Sequence, residues 1–343
     1  MSAPRLRAVL IGAGKVGMGY ADDPITARHY PFATHAQVLS VHPEFEWVGV
    51  VDPSEEARRL ASEKWGMPFI GETPAALSSD CRPEIAVLAT PPGNRIDALK
   101  ALPSLRAVLV EKPLGKDVAE AKAFLDYCQG KDILVQANLW RRADEGFQAL
   151  AAGGLKDRIG KPQAVFGIYG NGLANNGTHM IDMARMLLGD IESVQVVGAQ
   201  LIESAGPVIG DVNIPFSLRF KIGISALFHP VSFSQYRENA MEIWGQWGRL
   251  DLVQEGLGIH VHPRRNHRAV STTQEIDFDS QETIPSTVGH AFFRMYDNLA
   301  AAIRTGTPLW APGSLALDTA NIIDSILTSA KNSGSVISVT KDN

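Results

Sequence analysis

Two cysteines in 343 residues, Cys81 and Cys128, are too few for a disulfide framework or for a zinc site built on thiolates. Long apolar runs are missing as well. AVLIG and VGVV are strand-sized and stop far short of the ~20 residues a membrane helix needs. The opening MSAPRLRAVLIGAG starts basic, but glycines break its apolar run and no cleavage signal follows, so no secretory leader is expected. Positive charge is in deficit, with 32 Lys and Arg against 37 Asp and Glu, and the net charge of −5 offers no field for nucleic acid or an anionic membrane. Internal repeats and low-complexity tracts are absent. What remains is 45% hydrophobic and 20% charged, the balance of a cytoplasmic globular enzyme long enough for two domains with separate cores.

The first part of the chain alternates short β-rich runs with amphipathic segments of helical length. RAVLIG (7–12), FEWVGVVD (45–52), EIAVLAT (84–90), AVLVEK (107–112) and ILVQA (133–137) read as strands. SEEARRLASEKW (54–65), NRIDALKAL (94–102) and DVAEAKAFLDYC (117–128) read as the helices between them. This alternation predicts a parallel sheet wrapped by helices. Beyond about residue 140 the pattern changes. After a helix-like FQALAAGG (147–154), QAVFGIYG (163–170) and a helix at 177–189, six strands follow without intervening helices: VQVVGAQL, FSLRFKIG, SALFHPV, AMEIWGQ, GRLDLV and GIHVHP. They predict a large, mostly antiparallel sheet with one face packed and one open. Helices at 290–306 and 314–334 close the chain. The expected division is an α/β dinucleotide-binding domain over 1–137 and an α+β domain over 138–343, with the 314–334 helix able to pack back on the first domain.

Gly12-Ala13-Gly14-Lys15-Val16-Gly17 follows the first strand and fits G-x-G-x-x-G. The first glycine allows a tight turn, the second lets backbone approach a pyrophosphate, and the third permits close helix–strand packing, with the helix N-terminus facing the phosphates. The second strand ends in Asp52, whose carboxylate can accept from both ribose hydroxyls and would repel a 2′-phosphate, which favours NAD over NADP. The spacing from Gly17 to Asp52 is 35 residues instead of the usual ~20. The excess, GYADDPITARHYPFATHA (19–36), reads as a loop out of the first crossover, either a surface insertion or a lid or subunit contact near the cofactor.

Ligands of open parallel sheets bind at the carboxyl ends of the strands. Thr90-Pro91-Pro92 there makes a rigid bend that either brackets the nicotinamide ribose or simply terminates a strand. Glu111-Lys112-Pro113 is more pointed, because a lysine at an interior strand end has either an ionic partner or a task. Beside nicotinamide and partly desolvated, Lys112 would lose basicity and could exchange an alcohol proton near neutral pH. In NGLANNGTHMID (171–182), Thr178 can cap a helix that Gly189 ends, with Met180, Met183, Ala184, Leu187 and Leu188 as its packing face. His179 then sits in the first turn, off that face, and Asp182 can either orient its imidazole or serve the helix dipole.

GAGKVG, TPP, EKP and GTHMID, in this order, resemble the glucose-fructose oxidoreductase/inositol dehydrogenase/rhizopine-catabolism family, and the similarity extends to EIWGQWGRL and the YDNL…AAIRTGTPL ending. The resemblance implies a Rossmann domain followed by a substrate domain whose sheet often serves oligomerisation, here as a homodimer or homotetramer. It implies NAD(P)-linked oxidation or reduction of a secondary hydroxyl or carbonyl on a sugar, cyclitol or nucleotide sugar. It also implies that Lys112, with a cis bond to Pro113, lies between nicotinamide and substrate, and that His179 reaches the same carbon from the second domain. Relatives commonly carry an aspartate four residues before this histidine, in D-x-G-x-H, whereas this chain has Asn175. An amide neither takes a proton nor supplies charge, so Asn175 is expected to position a hydroxyl, leaving proton handling to Lys112 and His179.

The expected site is therefore catalytic at Lys112, His179 and Asn175. Cofactor contacts are expected at Gly12, Gly14, Lys15, Val16, Gly17, Asp52, Thr90, Pro91, Pro92, Glu111 and Lys112. Trp140 and Arg141, after the last parallel strand, border the nicotinamide or bind a substrate phosphate, an anionic group that suits Arg141, or else Arg141 forms a structural ion pair. Tyr169, Asn171, Asn176 and Thr178 join Lys112, Asn175 and His179 as the expected substrate lining, although Tyr169 and Asn171 read equally as a strand end. HVHPRRNHR (260–268) sets His260 and His262 on one strand face, but without a carboxylate at ligand spacing it reads as a solvated edge or subunit contact, and no metal is expected. The whole reads as an NAD-dependent dehydrogenase of a polyhydroxylated small molecule such as a sugar, nucleotide sugar, aminosugar-containing glycoside or cyclitol. A redox-neutral glycosidase or epimerase that retains NAD, and a non-catalytic NAD sensor, are the competing readings.

Overall fold

Leu6–Ile11 (β1) is apolar on both faces, with Leu6, Ala8, Val9, Leu10 and Ile11 all buried. A strand of this kind needs cover on two sides and belongs in the middle of a parallel sheet. The computed structural model, which describes residues 3–77, 79–198, 202–204, 206–266 and 270–340, places it there. The chain divides into two units, Met1–Ala143 with Gly289–Leu317, and Asp144–Val288 with Asp318–Asn343.

In the first unit β1 is followed by α1 (His35–Val41), β2 (Phe45–Val51), α2 (Glu55–Trp65), β3 (Phe69–Gly71), β4 (Ile85–Leu88), α3 (Arg95–Lys100), β5 (Ala107–Val110), α4 (Val118–Gln129) and β6 (Leu134–Ala137). The six strands are parallel in the order β3-β2-β1-β4-β5-β6, the dinucleotide-binding arrangement whose order reverses beside β1. β3 was not among the expected strands, since three residues between Pro68 and Pro74 are too short to show a period. α1 begins at the last two residues of the expected crossover loop, runs on beyond it, and is set by a capping box: the Thr34 hydroxyl accepts from Gln37 N–H while the Gln37 side chain accepts from Thr34 N–H. The helix Val288–Thr305 completes this unit, burying Phe292, Tyr296, Leu299 and Ala300 in one core with Leu6, Ala8, Leu10 and Phe45. The insertion packs on it, with Phe32 and Phe293 ring centroids 4.8 Å apart.

The second unit is built on a large sheet. Its strands run in the order Glu275–Ile276, Gly258–Arg265, Gly248–Val253, Ala240–Gly245, Pro162–Tyr169, Ser225–Pro230, Phe216–Phe220, Ile191–Val196, Ile337–Ser338. Every pairing is antiparallel except that of Pro162–Tyr169 with Ser225–Pro230. Alternate residues, among them Phe216, Leu218, Phe220, Ala226, Phe228, Met241 and Ile243, are buried, which gives the expected packed face. The expected strand VQVVGAQL ends at Val196, before Gly198 at φ 93°, and its last three residues lie outside the described ones. The FQALAAGG segment is not one helix: Gly153 at φ 122° sits in a wide turn, Leu150–Gly154, that separates Glu145–Ala149 from Leu155–Ile159. Among the described residues no helix is long and apolar enough to cross a membrane.

Candidate active site

The three loop glycines have different surroundings. A Cβ on Gly12, at φ 97°, would lie 2.8 Å from the Ala89 carbonyl carbon, and one on Gly17 would lie 2.2 Å from the Gly12 oxygen. A Cβ on Gly14 would meet nothing within 4 Å, so this glycine leaves open space above the loop. Lys15 is exposed and Val16 half-buried beside it. Asp52 closes the site from β2: its Oδ2 accepts from Ala13 N–H at 2.7 Å and its Oδ1 from Ser54 N–H at 2.8 Å. Each oxygen keeps a second lone pair for a ribose hydroxyl. The helix expected to leave this loop is a correction. Met18 N–H bonds back to Gly14 O at 2.8 Å, but the chain then passes into the insertion and regular helix resumes only at His35. The insertion interrupts the helix, and α1 docks back on the loop through His35 N–H to Val16 O at 3.1 Å and Ala36 N–H to Gly17 O at 3.0 Å.

Thr90, Pro91 and Pro92 follow β4, and Glu111, Lys112 and Pro113 follow β5, so both bends lie at the carboxyl edge of the sheet. The Lys112–Pro113 peptide is cis. Lys112 is half-buried, and its neighbour Glu111 is fixed from behind. Glu111 Oε1 accepts from Asn138 Nδ2 at 2.6 Å and pairs with His35 Nε2 at 3.1 Å, while His35 Nδ1 lies 2.7 Å from the Tyr296 hydroxyl. Burial alone would raise the Glu111 carboxyl, but the His35 and Asn138 hydrogen bonds and the Lys112 charge outweigh it and hold the group below its ordinary value. Burial also pushes the Tyr296 phenol well above its usual range, so it stays neutral and able to donate to His35. Sequence reasoning found none of His35, Asn138 and Tyr296, and it read Arg95 only as part of a helix. Trp140 lies edge-on to Tyr30 at 5.8 Å, and the buried Arg141 guanidinium sits 4.3 Å from the Trp140 ring.

The expected substrate segment belongs to the second unit. Asn171, at φ 55°, and Gly172, at φ 99°, turn the chain into a wide turn, Leu173–Gly177, that runs on into the helix Thr178–Leu188. The turn's free N–H groups go to a distant carboxylate: Asp211 Oδ1 accepts from Ala174 and Oδ2 from Asn175, each at 3.0 Å. Thr178 is therefore not the cap. Its hydroxyl donates to Ala174 O at 2.7 Å, as a residue inside a helical run does. Gly189, at φ 86°, ends the helix as expected. Asn175 and His179 are half-buried, and Asn176 and Asp182 are buried. Tyr169 is a second correction. It has no exposed surface, and its hydroxyl donates to Ile214 O at 2.6 Å and accepts from Ile214 N–H at 3.0 Å, so it is a core strut with nothing to offer a ligand. On the far strands His262 Nε2 pairs with Asp251 Oδ2 at 3.2 Å, and His260 Nδ1 lies 2.7 Å from Gln281 Nε2. No metal-holding cluster of His, Cys, Asp or Glu occurs among the described residues, and His267 lies outside them.

Residues 6–139 match the oxidoreductase family with NAD-binding Rossmann fold, and residues 156–251 match the GFO/IDH/MocA C-terminal domain, together well over half of the chain. The chain belongs to the GFO/IDH/MocA family. This GFO/IDH/MocA protein is 26% identical over 329 residues to the scyllo-inositol 2-dehydrogenase (NAD(+)) of Bacillus subtilis, covering 89% of this chain and 88% of that one. It is 23% identical over 270 residues to the myo-inositol 2-dehydrogenase of Thermotoga maritima, covering 73% and 76%. Its fold matches that of levoglucosan dehydrogenase in complex with NADH and L-sorbose, with a TM-score of 0.76, 19% identity, and coverage of 99% of this chain and 100% of the other. The protein is an NAD-dependent dehydrogenase acting on CH–OH groups, in a family of sugar and cyclitol oxidoreductases. The open face over Gly14 and the spare lone pairs of Asp52 fit that cofactor.

Proposed function

We propose that this dehydrogenase interconverts a secondary ring hydroxyl and its ketone on a neutral polyhydroxylated molecule, a sugar, nucleotide sugar, aminosugar glycoside or cyclitol. Bound NAD supplies the hydride acceptor. Lys112 Nζ takes the hydroxyl proton, and the imidazole of His179 holds or shares it. Asn175 cannot ionise, so it hydrogen-bonds a hydroxyl, with Asn171 and Asn176 adding amide donors and acceptors suited to neutral hydroxyls rather than a carboxylate. The names of the inositol dehydrogenase relatives support a cyclitol or sugar as the class.

The observation that carries this reading is the setting of Lys112. It stands at the carboxyl end of β5, beside a carboxylate already committed to His35 and Asn138, in a unit whose glycine loop and Asp52 fit NAD. The test is a panel of cyclitols, aldoses, nucleotide sugars and glycosides with NAD, followed by nicotinamide absorbance. Lys112→Ala is expected to lower kcat/KM on the responding substrate by about 10²–10⁴-fold. Full activity in that variant would overturn the proton role. Steady turnover of a glycoside by dialysed protein without added NAD would replace net oxidation with the redox-neutral reading.

A further inference from the structure

Arg95 opens α3 and is almost fully enclosed, at 3% exposure. A buried guanidinium commonly faces a carboxylate. This one is spent on three backbone carbonyls: Nη1 donates to Pro113 O at 2.7 Å and to Leu114 O at 3.0 Å, and Nη2 donates to Thr90 O. Those acceptors belong to the bends after β4 and β5. The ladder between these strands reaches only as far as Glu111 N–H to Leu88 O, 2.9 Å, among the described residues. Beyond that bond the chains part, and the Arg95 fork takes over as their cross-link. Burial lowers the group's pKa to about 10, with Glu111 and Glu120 pulling the other way, so it remains a cation at neutral pH. Enclosing a cation on neutral acceptors is costly, and the planar fork with its fixed donor directions is what a lysine could not reproduce.

We propose that Arg95 is a positioning residue, which locks the Lys112–Pro113 bend to the Thr90–Pro92 bend and thereby fixes where Lys112 Nζ meets the reacting hydroxyl. The inference rests on the reading of Lys112 as the proton-handling group. Displacing a reacting group by about 1 Å can cost on the order of 10²-fold in rate. Arg95→Lys keeps the charge and the helix start but cannot hold three carbonyls in two loops at once.

The experiment is a double-mutant cycle on the full-length enzyme with NAD and the responding polyol, comparing wild type, Arg95→Lys, Lys112→Ala and the double variant, with unfolding midpoints measured alongside. Arg95→Lys is expected to lower kcat by roughly 10–100-fold in the wild-type background and by under about threefold once Lys112 is gone, because a positioning residue has no effect when the group it positions is absent. Equal losses in both backgrounds would make Arg95 a purely structural clamp and overturn the proposal, as would an unchanged kcat in Arg95→Lys. A fully active Lys112→Ala would sink the proton role itself and take this inference with it, an outcome distinct from equal losses, which leave Lys112 in place. If Arg95→Lys folds poorly, Arg95→Gln, uncharged but still a donor, goes through the same cycle with the same criteria.

Discussion

Removing one oxygen from Tyr169 separates two accounts of that residue. As a strand-end residue facing a sugar, its hydroxyl would matter for KM and little for stability. In the structure the phenol is enclosed and spans both backbone groups of Ile214, itself fully buried. Burial, reinforced by the nearby Asp211 charge and opposed by the Ile214 hydrogen bond, raises the phenol far above its usual range, so it remains a neutral donor. Tyr169→Phe keeps the ring against Phe216, whose centroid is 5.8 Å away, and strips only the bridge. A buried N–H and a buried C=O are then left without partners, at about 1–3 kcal/mol each before relaxation, so the expected loss is roughly 2–4 kcal/mol. For a unit of this size that lowers the midpoint of its unfolding transition by roughly 5–15 °C. Urea and thermal unfolding followed by circular dichroism measure the loss, and KM and kcat well below the transition should match wild type. A variant of unchanged stability with a raised KM would refute the strut and restore Tyr169 to the substrate.

Gly17→Ala forces a Cβ to 2.2 Å from the Gly12 oxygen and is expected to destabilise the first unit by at least about 1–3 kcal/mol in a melting experiment. Gly14→Ala meets no protein atom and should melt like wild type while binding NAD at least about tenfold more weakly by protein fluorescence, because its methyl occupies the space a pyrophosphate must approach. A normal NAD affinity in Gly14→Ala would show that the cofactor does not lie over this loop. Glu111 titrates lower folded than unfolded, so its contribution is complete above the unfolded carboxylate value near ~4.3 and disappears as pH falls through the folded one. The stability gap between wild type and Glu111→Gln in urea should therefore be constant above about pH 5 and narrow below it. A gap that widens on acidification would mean that the carboxyl is raised in the fold.

The parts of the fold that were readable in the sequence are those fixed by near neighbours. Gly12 answers to the adjoining strand end and Gly17 to the loop itself, and the apolar runs of β1, β4 and β5 need no partner to announce burial on both faces. α1 was legible in principle, since Thr34 and Gln37 form a capping box, but the long stretch between Gly17 and Asp52 drew attention to its length and away from its end. β3 has too few residues for any period to appear. The polar groups behind Lys112 were out of reach for a different reason. His35 meets Tyr296 across 261 positions and Glu111 across 76, and no local pattern encodes either distance. Arg95 lay in an ordinary amphipathic helix, where an arginine reads as a solvated end until its carbonyl partners are seen.

Asn175 brings these two kinds of information together. Its departure from the aspartate of the D-x-G-x-H pattern was visible in the sequence, but its cause was not. Asp211, brought from 36 positions away, places Oδ2 3.0 Å from the Asn175 N–H and Oδ1 3.0 Å from that of Ala174. That carboxylate does the work of a helix cap for the turn leading to His179, which neither Thr178 nor Gly177 performs. An aspartate at 175 would add a second carboxylate to a residue whose backbone N–H already binds the first, and neighbouring carboxylates resist ionising together. The amide avoids that repulsion and keeps its hydrogen-bonding capacity. The carboxylate at 211 thus anchors the backbone of the segment, and an amide at 175 keeps a second negative charge away from it.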